Sequence, residues 1–390
     1  MISISDHIAE LRQALKYRRH SPAFLERSNL ILDSLQPPEP RAPQWRSLAT
    51  PVISNDLGVR RFSDFRIFYL EHCKIASVDP IEGDTITSWI TEDRKRFSTR
   101  ADAAITFFGD YACVAKAITD IGEWLKEHGS YHDLLLSGTI LAALSEAEST
   151  DYFALSARRA EDSTQRYLAN HRLAASQFKR FGHVDKATEA LDMSLAVEGI
   201  PERPRPLERA LKLNLLALVE LKGPDYSKSL SLLQEAEELL KQFLSTSAAS
   251  PLEVSMGARY ASQIAINAAQ IRVLQDDFAG AVKKLRDNCG FVAKTAPEYL
   301  AEALSELSCA LYYSGDYRGA ISVAGHAFGR LFFLGAVNSM NTLRKIVVAS
   351  YHSLGAEEAA EAVARTLERD PLGFLDFGLG EVNIGEEHFY

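Results

Sequence analysis

Cysteine is scarce in this chain of 390 residues, with four copies at Cys73, Cys113, Cys289 and Cys309. They lie far apart, form no CxxC pair and join no histidine at zinc-ligand spacing, which excludes a disulfide framework and a structural zinc site. Free thiols of this kind fit a reducing compartment. Long apolar runs are also missing. Strongly apolar uncharged runs such as Leu134–Leu144 and Leu331–Leu343 fall short of the ~18–20 residues that span a bilayer. Asp6 and Glu10 stand where a secretory leader needs an apolar stretch. A soluble cytoplasmic protein with no membrane contact is expected.

The motifs of common chemistries are absent as well. There is no GxxxxGK[ST], HExxH, GxSxG or calcium-loop pattern. Gly378-Leu379-Gly380 has no following helix in the sequence to hold a phosphate on its N-terminus. His128 and His132 are four apart, but Gly129-Ser130 interrupts the helix that would aim both at one metal. Catalytic residues, metal ligands and cofactors are therefore expected to be none, and the chain is read as no enzyme.

Net charge is −9, unevenly spread: the first 100 residues carry 15 Lys/Arg against 13 Asp/Glu, the remaining 290 carry 28 against 39. An acidic body gives no bulk attraction to nucleic acid. The basic groups Lys16, Arg18, Arg19 and Arg94-Lys95-Arg96 lack interleaved stacking residues, so direct nucleic-acid binding is not expected.

Proline marks the organisation. Five of the 14 prolines (Pro37, Pro38, Pro40, Pro43 and Pro51) fall in residues 36–51, where neither a helix nor a central strand can run. Residues 1–35 before this linker read as a pair of helices, with Ile8, Leu11 and Leu15 on one face of the first. Residues 52–100 are mixed or helical: Ser63–Cys73 suits helix or strand, and Thr85–Arg96 suits a helix. From 101 to 372, amphipathic helical patterns follow one another and proline keeps to the seams. Residues 373–390 form a glycine-rich, aromatic tail. Its apolar side chains predict docking in extended form, as a cap over the last hairpin or as a contact between copies.

Within the helical region one unit recurs. In Leu304–Phe328, Leu304, Leu307 and Leu311 form an apolar stripe with the small Ser308 beside it. Gly315-Asp316-Tyr317 turns the chain, and Ala320, Ala324 and Ala327 are small positions on a second helix. Two helices ~8–10 Å apart admit only Gly, Ala or Ser at their closest point. Ala175, Gly182 and Ala187 repeat the pattern, as do Ala217 with Ser229 and Ala269 with Ala281. Leu354-Gly355 with Ala359 and Ala360 does so near the end, and Gly129 turns an outlying candidate at Ile118–Leu141. This unit resembles a tetratricopeptide repeat, over residues 114–371. The turns at 129, 182, 225, 277, 316 and 355 are spaced by 53, 43, 52, 39 and 39 residues, against a family period of ~34. The fold class that follows is all-α: a TPR-like α-solenoid of stacked antiparallel helical hairpins.

The resemblance implies a concave surface of first helices that receives a polypeptide. Carried onto this sequence, the exposed positions are Arg172, Ser176, Lys179, Asn214, Gln263, Asn267, Gln270, Tyr312 and Tyr313. Amide side chains can both donate to and accept from a peptide backbone, and an exposed aromatic can anchor a partner. A binding scaffold is the primary expectation. A peptide-sensing regulator and a non-catalytic accessory subunit of a larger enzyme are the alternatives.

Overall fold

The computed structural model describes residues 3–15, 29, 31, 35, 69–70, 73–74, 76–108, 111–144, 146–195, 206–221, 226–245, 251–296, 299–334 and 337–369. The linker at 36–51, nearly all of the expected second helix and the tail at 373–390 lie outside them. No strand occurs among the described residues. The chain divides into two compact units, Met1–Pro204 and Arg205–Tyr390.

The first unit begins with α1 (Ile4–Leu15). Of its expected apolar face, Ile8 and Leu11 are buried, as is His7, and the Leu15 side chain lies outside the description. The Tyr69 hydroxyl accepts from the Ile81 N–H at 2.8 Å and is hydrogen-bonded to His7 Nε2 at 2.8 Å. The stretch 63–73, open between helix and strand, is helical at Tyr69, Leu70 and Cys73. The helix expected over 85–96 is α2 (Gly83–Glu92), continued by a 3-10 turn at Arg94–Arg96. Next come α3 (Phe97–Ala103), which widens into a π turn at Ala104–Phe108, then α4 (Tyr111–Asp120) and α5 (Gly122–His128).

Two hairpins complete this unit: α6 (Tyr131–Ala143) with α7 (Ser149–Arg158), and α8 (Ser163–Lys179) with α9 (Val184–Leu195). This corrects the outlying candidate turned at Gly129. That turn does join α5 to α6, but α5 is too short to cover α6, which packs mainly on α7. Ser130 and Asp133 form a reciprocal capping box on α6, and Asp133 Oδ1 also accepts from the Ser98 N–H at 3.1 Å. One carboxylate thus orders two helix starts. Gly138 lets α6 approach α7 closely, because a Cβ there would lie 2.8 Å from the Phe153 ring.

The second unit is an array of four hairpins: α10 (Pro206–Glu220) with α11 (Tyr226–Leu244), α12 (Pro251–Leu274) with α13 (Phe278–Thr295), α14 (Leu300–Tyr313) with α15 (Tyr317–Leu334), and α16 (Val337–Ser353) with α17 (Glu357–Arg369). Each helix packs on the next, and α10, α12, α14 and α16 also touch one another in succession. This is a TPR-like α-solenoid, and α10, α12, α14 and α16 form its inner row. Its core runs without a break through Ala269, Ala281, Leu304, Leu311, Ala320, Ala327 and Phe328.

The hairpins close on small residues twelve positions apart. In the second hairpin the pair is Ala269 and Ala281, both buried. In the first it is Ala217 and Ser229, and the Ser229 hydroxyl donates to the Ala217 carbonyl at 2.6 Å. In the third it is Ser308 and Ala320, with the roles exchanged: Ser308 donates to the Ala320 carbonyl at 2.8 Å. A hydroxyl reaches the opposite backbone only because the helices are this close. In the first unit Ala187 is buried as expected, but Ala174 rather than Ala175 is buried beside it; Ala175 is half-buried.

The turns share a left-handed residue. Gly182, Gly315 and Gly355 have φ of 70°, 83° and 71°, and Asp276 holds the same place at 59°. There the next N–H bonds back five residues, Asp316 to Leu311 O at 3.0 Å and Asp277 to Arg272 O at 2.9 Å, satisfying carbonyls that the ending helix leaves open. Asp277 and Asp316 then cap the following helix through the Gly280 and Gly319 N–H groups at 3.0 and 2.9 Å.

Ala320→Leu should overpack the third crossing and cost about 1–3 kcal/mol. Ser308→Ala should cost about 1 kcal/mol, since the Ala320 carbonyl keeps its helical bond. Urea titration of each variant checks both; an unchanged midpoint for Ala320→Leu would refute the crossing. In the first unit, burial holds the His7 imidazole below its ordinary 6.5, opposed by the Glu10 carboxylate. Below that pH the unfolded chain takes up the proton first, so stability should fall as pH drops through about 6.5. Melting temperatures across pH 5 to 8 should show this slope for the native chain and a flatter one for His7→Gln.

Candidate functional site

The residues expected to face a partner fall in both units. Arg172, Ser176 and Lys179 belong to the first, where Arg172 is half-buried and Lys179 exposed. Ser176 corrects the expectation of exposure: it is buried, with its hydroxyl 3.5 Å from that of Ser149. Packing of α8 on α7 has taken this residue into the helix interface.

The other six lie on the inner row of the second unit. Asn214 and Asn267 are also corrected from exposed to buried. Asn267 Nδ2 donates to Asn214 Oδ1 at 2.7 Å, which ties α10 to α12. Such a bond inside a low-dielectric interface fixes which helix face turns inward, because breaking it strands two desolvated amides. The pair is thus a structural clasp.

Gln263 and Gln270 stay on the accessible side of α12, seven residues and two turns apart. Gln270 Nε2 donates to Glu306 Oε2 at 3.1 Å, the corresponding link from α12 to α14. Asn267 and Glu306 hold equivalent places 39 residues apart. Each bonds the preceding inner helix, the first through an amide and the second through a carboxylate.

The accessible stripe of α14 is Glu302, Glu306, Cys309 and Tyr313, at spacings of four, three and four. Burial raises the Glu306 carboxyl above its ordinary range, and the bond from Gln270 only partly offsets this. Cys309 is raised to about 12 by burial and by the Glu306 charge. Its thiol stays protonated, so nucleophilic chemistry is not its role. Tyr313 is 59% exposed, and Leu274 at the same place on α12 is 61% exposed. Tyr312 is half-buried, its ring packed against those of Tyr313 and Tyr317 at 5.6 and 5.7 Å. Arg259 lies over the Tyr299 ring at 5.1 Å with Glu302 in its field.

The inner face therefore offers the accessible amides of Gln263 and Gln270, the second already bonded to Glu306, two carboxylates of unequal surroundings and an apolar lip of Leu274 and Tyr313. Among the described residues no group of three or more His, Cys, Asp or Glu could hold a metal ion, and no helix is long and apolar enough to cross a membrane. Sequence reasoning passed over Glu306 and Leu274. The 39-residue offset, applied to Asn267 and Tyr313, would have found them.

No family model and no curated protein match the sequence. Among solved structures, the chain is similar to a signal-transduction ATPase with numerous domains, with a tetratricopeptide-repeat sensor, from Pyrococcus horikoshii. The identity is 10% and the TM-score 0.48, over 88% of this chain and 61% of that one, so the chain spans less than two thirds of its neighbour's length.

Replacing Asn214 by Ala should cost about 1–3 kcal/mol, because the Asn267 amide is left buried without its partner. Replacing both by Leu should recover most of that loss. Denaturant melts of the single and double variants check it; equal losses would show that the amides do not act as a pair.

Proposed function

We propose that the second unit binds a segment of another polypeptide along its inner row of helices, with no chemical step of its own. The observation that carries this reading is the composition of that face. Gln263 and Gln270 can donate to and accept from a main chain without regard to its sequence. Leu274 and Tyr313 present apolar area beside them, the pairing of polar grip and apolar anchor found where peptides dock. The thiol of Cys309, held protonated by its burial, supports binding over catalysis. The reading makes the protein a scaffold, with a sensing role as one use of the same face.

A photo-crosslinking residue placed at Gln263, in the full chain expressed in its native host, should capture a polypeptide. The same residue at Arg286, exposed on α13 of the same hairpin, should capture little. Equal capture at the two positions, or capture only at Arg286, would overturn the assignment of the inner face.

A further inference from the structure

The two carboxylates on the inner stripe of α14 are not equivalent. Glu302 lies in the field of the Arg259 guanidinium. Among the described residues Glu306 has no such counter-ion. Among the described residues its hydrogen-bond partner is the neutral Gln270 amide, and no Lys, Arg or His lies within ion-pair distance of it. Taking a carboxylate out of water is costly unless charge returns the loss, and one neutral amide does not return it. Among the described residues this carboxylate is thus left with a neutral partner and no compensating positive charge.

The surroundings narrow the chemistry that fits there. Glu306 Oε2 is held by Gln270, which orients the carboxylate. Tyr313 stands two turns further along the same stripe, roughly 10 Å away, and its ring is 59% exposed. An oriented carboxylate takes a guanidinium through paired N–H donors, and an aromatic face accepts a flat cation or its aliphatic stem. The charge balance of the second unit agrees, since residues 205–390 carry 18 Lys/Arg against 23 Asp/Glu and so favour a basic segment.

Building on the polypeptide-binding reading of this face, we propose that it selects segments carrying an arginine, whose guanidinium pairs with Glu306 while the adjoining chain packs on Tyr313. Gln263 and Gln270 then grip the main chain and Glu306 reads the side chain. Glu306 is half-buried, and a charge-assisted bond there is worth more than on an open surface.

Selection of phage-displayed random dodecapeptides on the full chain tests this. The expected result is enrichment of arginine at one position. A synthetic copy of the selected peptide should lose at least about tenfold in affinity when that arginine becomes citrulline, its uncharged analogue. Fluorescence anisotropy should show the same loss for the arginine peptide on Glu306→Gln. On that variant the citrulline exchange should then make little difference. Glu358→Gln, on exposed α17, should bind as the native chain does. If peptides bind but arginine and citrulline forms bind the native chain equally, the arginine inference is overturned and the polypeptide reading stands. The same holds if Glu306→Gln keeps the preference. If no peptide is enriched, both are overturned. Because the citrulline comparison uses the native chain, it decides even if the variant fails to fold.

Discussion

The close crossing of the first three helical hairpins is the constraint on which the second unit depends. Two helices meet where residues twelve apart are both small, and there the backbones come near enough for a side-chain hydroxyl to bond the opposite carbonyl. Serine serves from the second helix in the first hairpin and from the first helix in the third. The contact therefore selects for size, and hydrogen bonding is added wherever a hydroxyl falls. That spacing sets the turn, because only a left-handed residue followed by a cap reverses the chain in so few positions. Gly315 with Asp316 and Asp276 with Asp277 both do this. An aspartate at φ 59° is a tolerated substitute for glycine, since its short polar side chain suits that region better than most.

From the crossing follows the division of labour between helix rows. Small residues draw the two helices of a hairpin together, and larger apolar ones such as Leu304, Leu311 and Phe328 fill the space between hairpins. The inner helices then meet in succession, and what links them is polar: Asn214 with Asn267, and Gln270 with Glu306. On the outer row Lys284 of α13 reaches Glu237 of α11 at 2.7 Å, an ion pair of long, partly exposed side chains. A short, buried amide pair fixes orientation more firmly than a long flexible ion pair, so the inner face is the better-defined surface. This is what a site needs when it must present particular side chains to a partner.

Much of the fold could be read directly from the residues. The alternation of apolar stripe, small residue, Gly-Asp turn and second small residue is local, and a helix of 3.6 residues per turn converts it into faces without reference to the rest of the chain. The third hairpin was legible almost residue by residue, from Leu304 to Ala327. The Gly129 turn misled because a turn signal says where a helix ends and not which helix it then packs on. The seven-residue α5 offers too little surface to hold α6, and α7 covers it instead.

The candidate site divides along the same line. Which residues lie on the inner helices was determined by the sequence, because hairpin order and helical period place Asn214, Gln263, Asn267, Gln270 and Tyr313 there. Which of them remain available was decided by tertiary structure alone. Asn214 and Asn267 turned inward to satisfy each other, and Ser176 was taken up by packing against α7, whereas Gln263, Gln270 and Tyr313 stayed outside. Periodicity assigns a residue to a stripe about a third of a turn wide, and the edges of that stripe are claimed by whichever neighbour arrives. For the same reason Glu306, an ordinary helix carboxylate in the sequence, becomes a half-buried group bonded to the neutral Gln270 amide only once α12 lies beside α14. Burial and pairing belong to the arrangement of several helices, and no local window of the chain contains that arrangement.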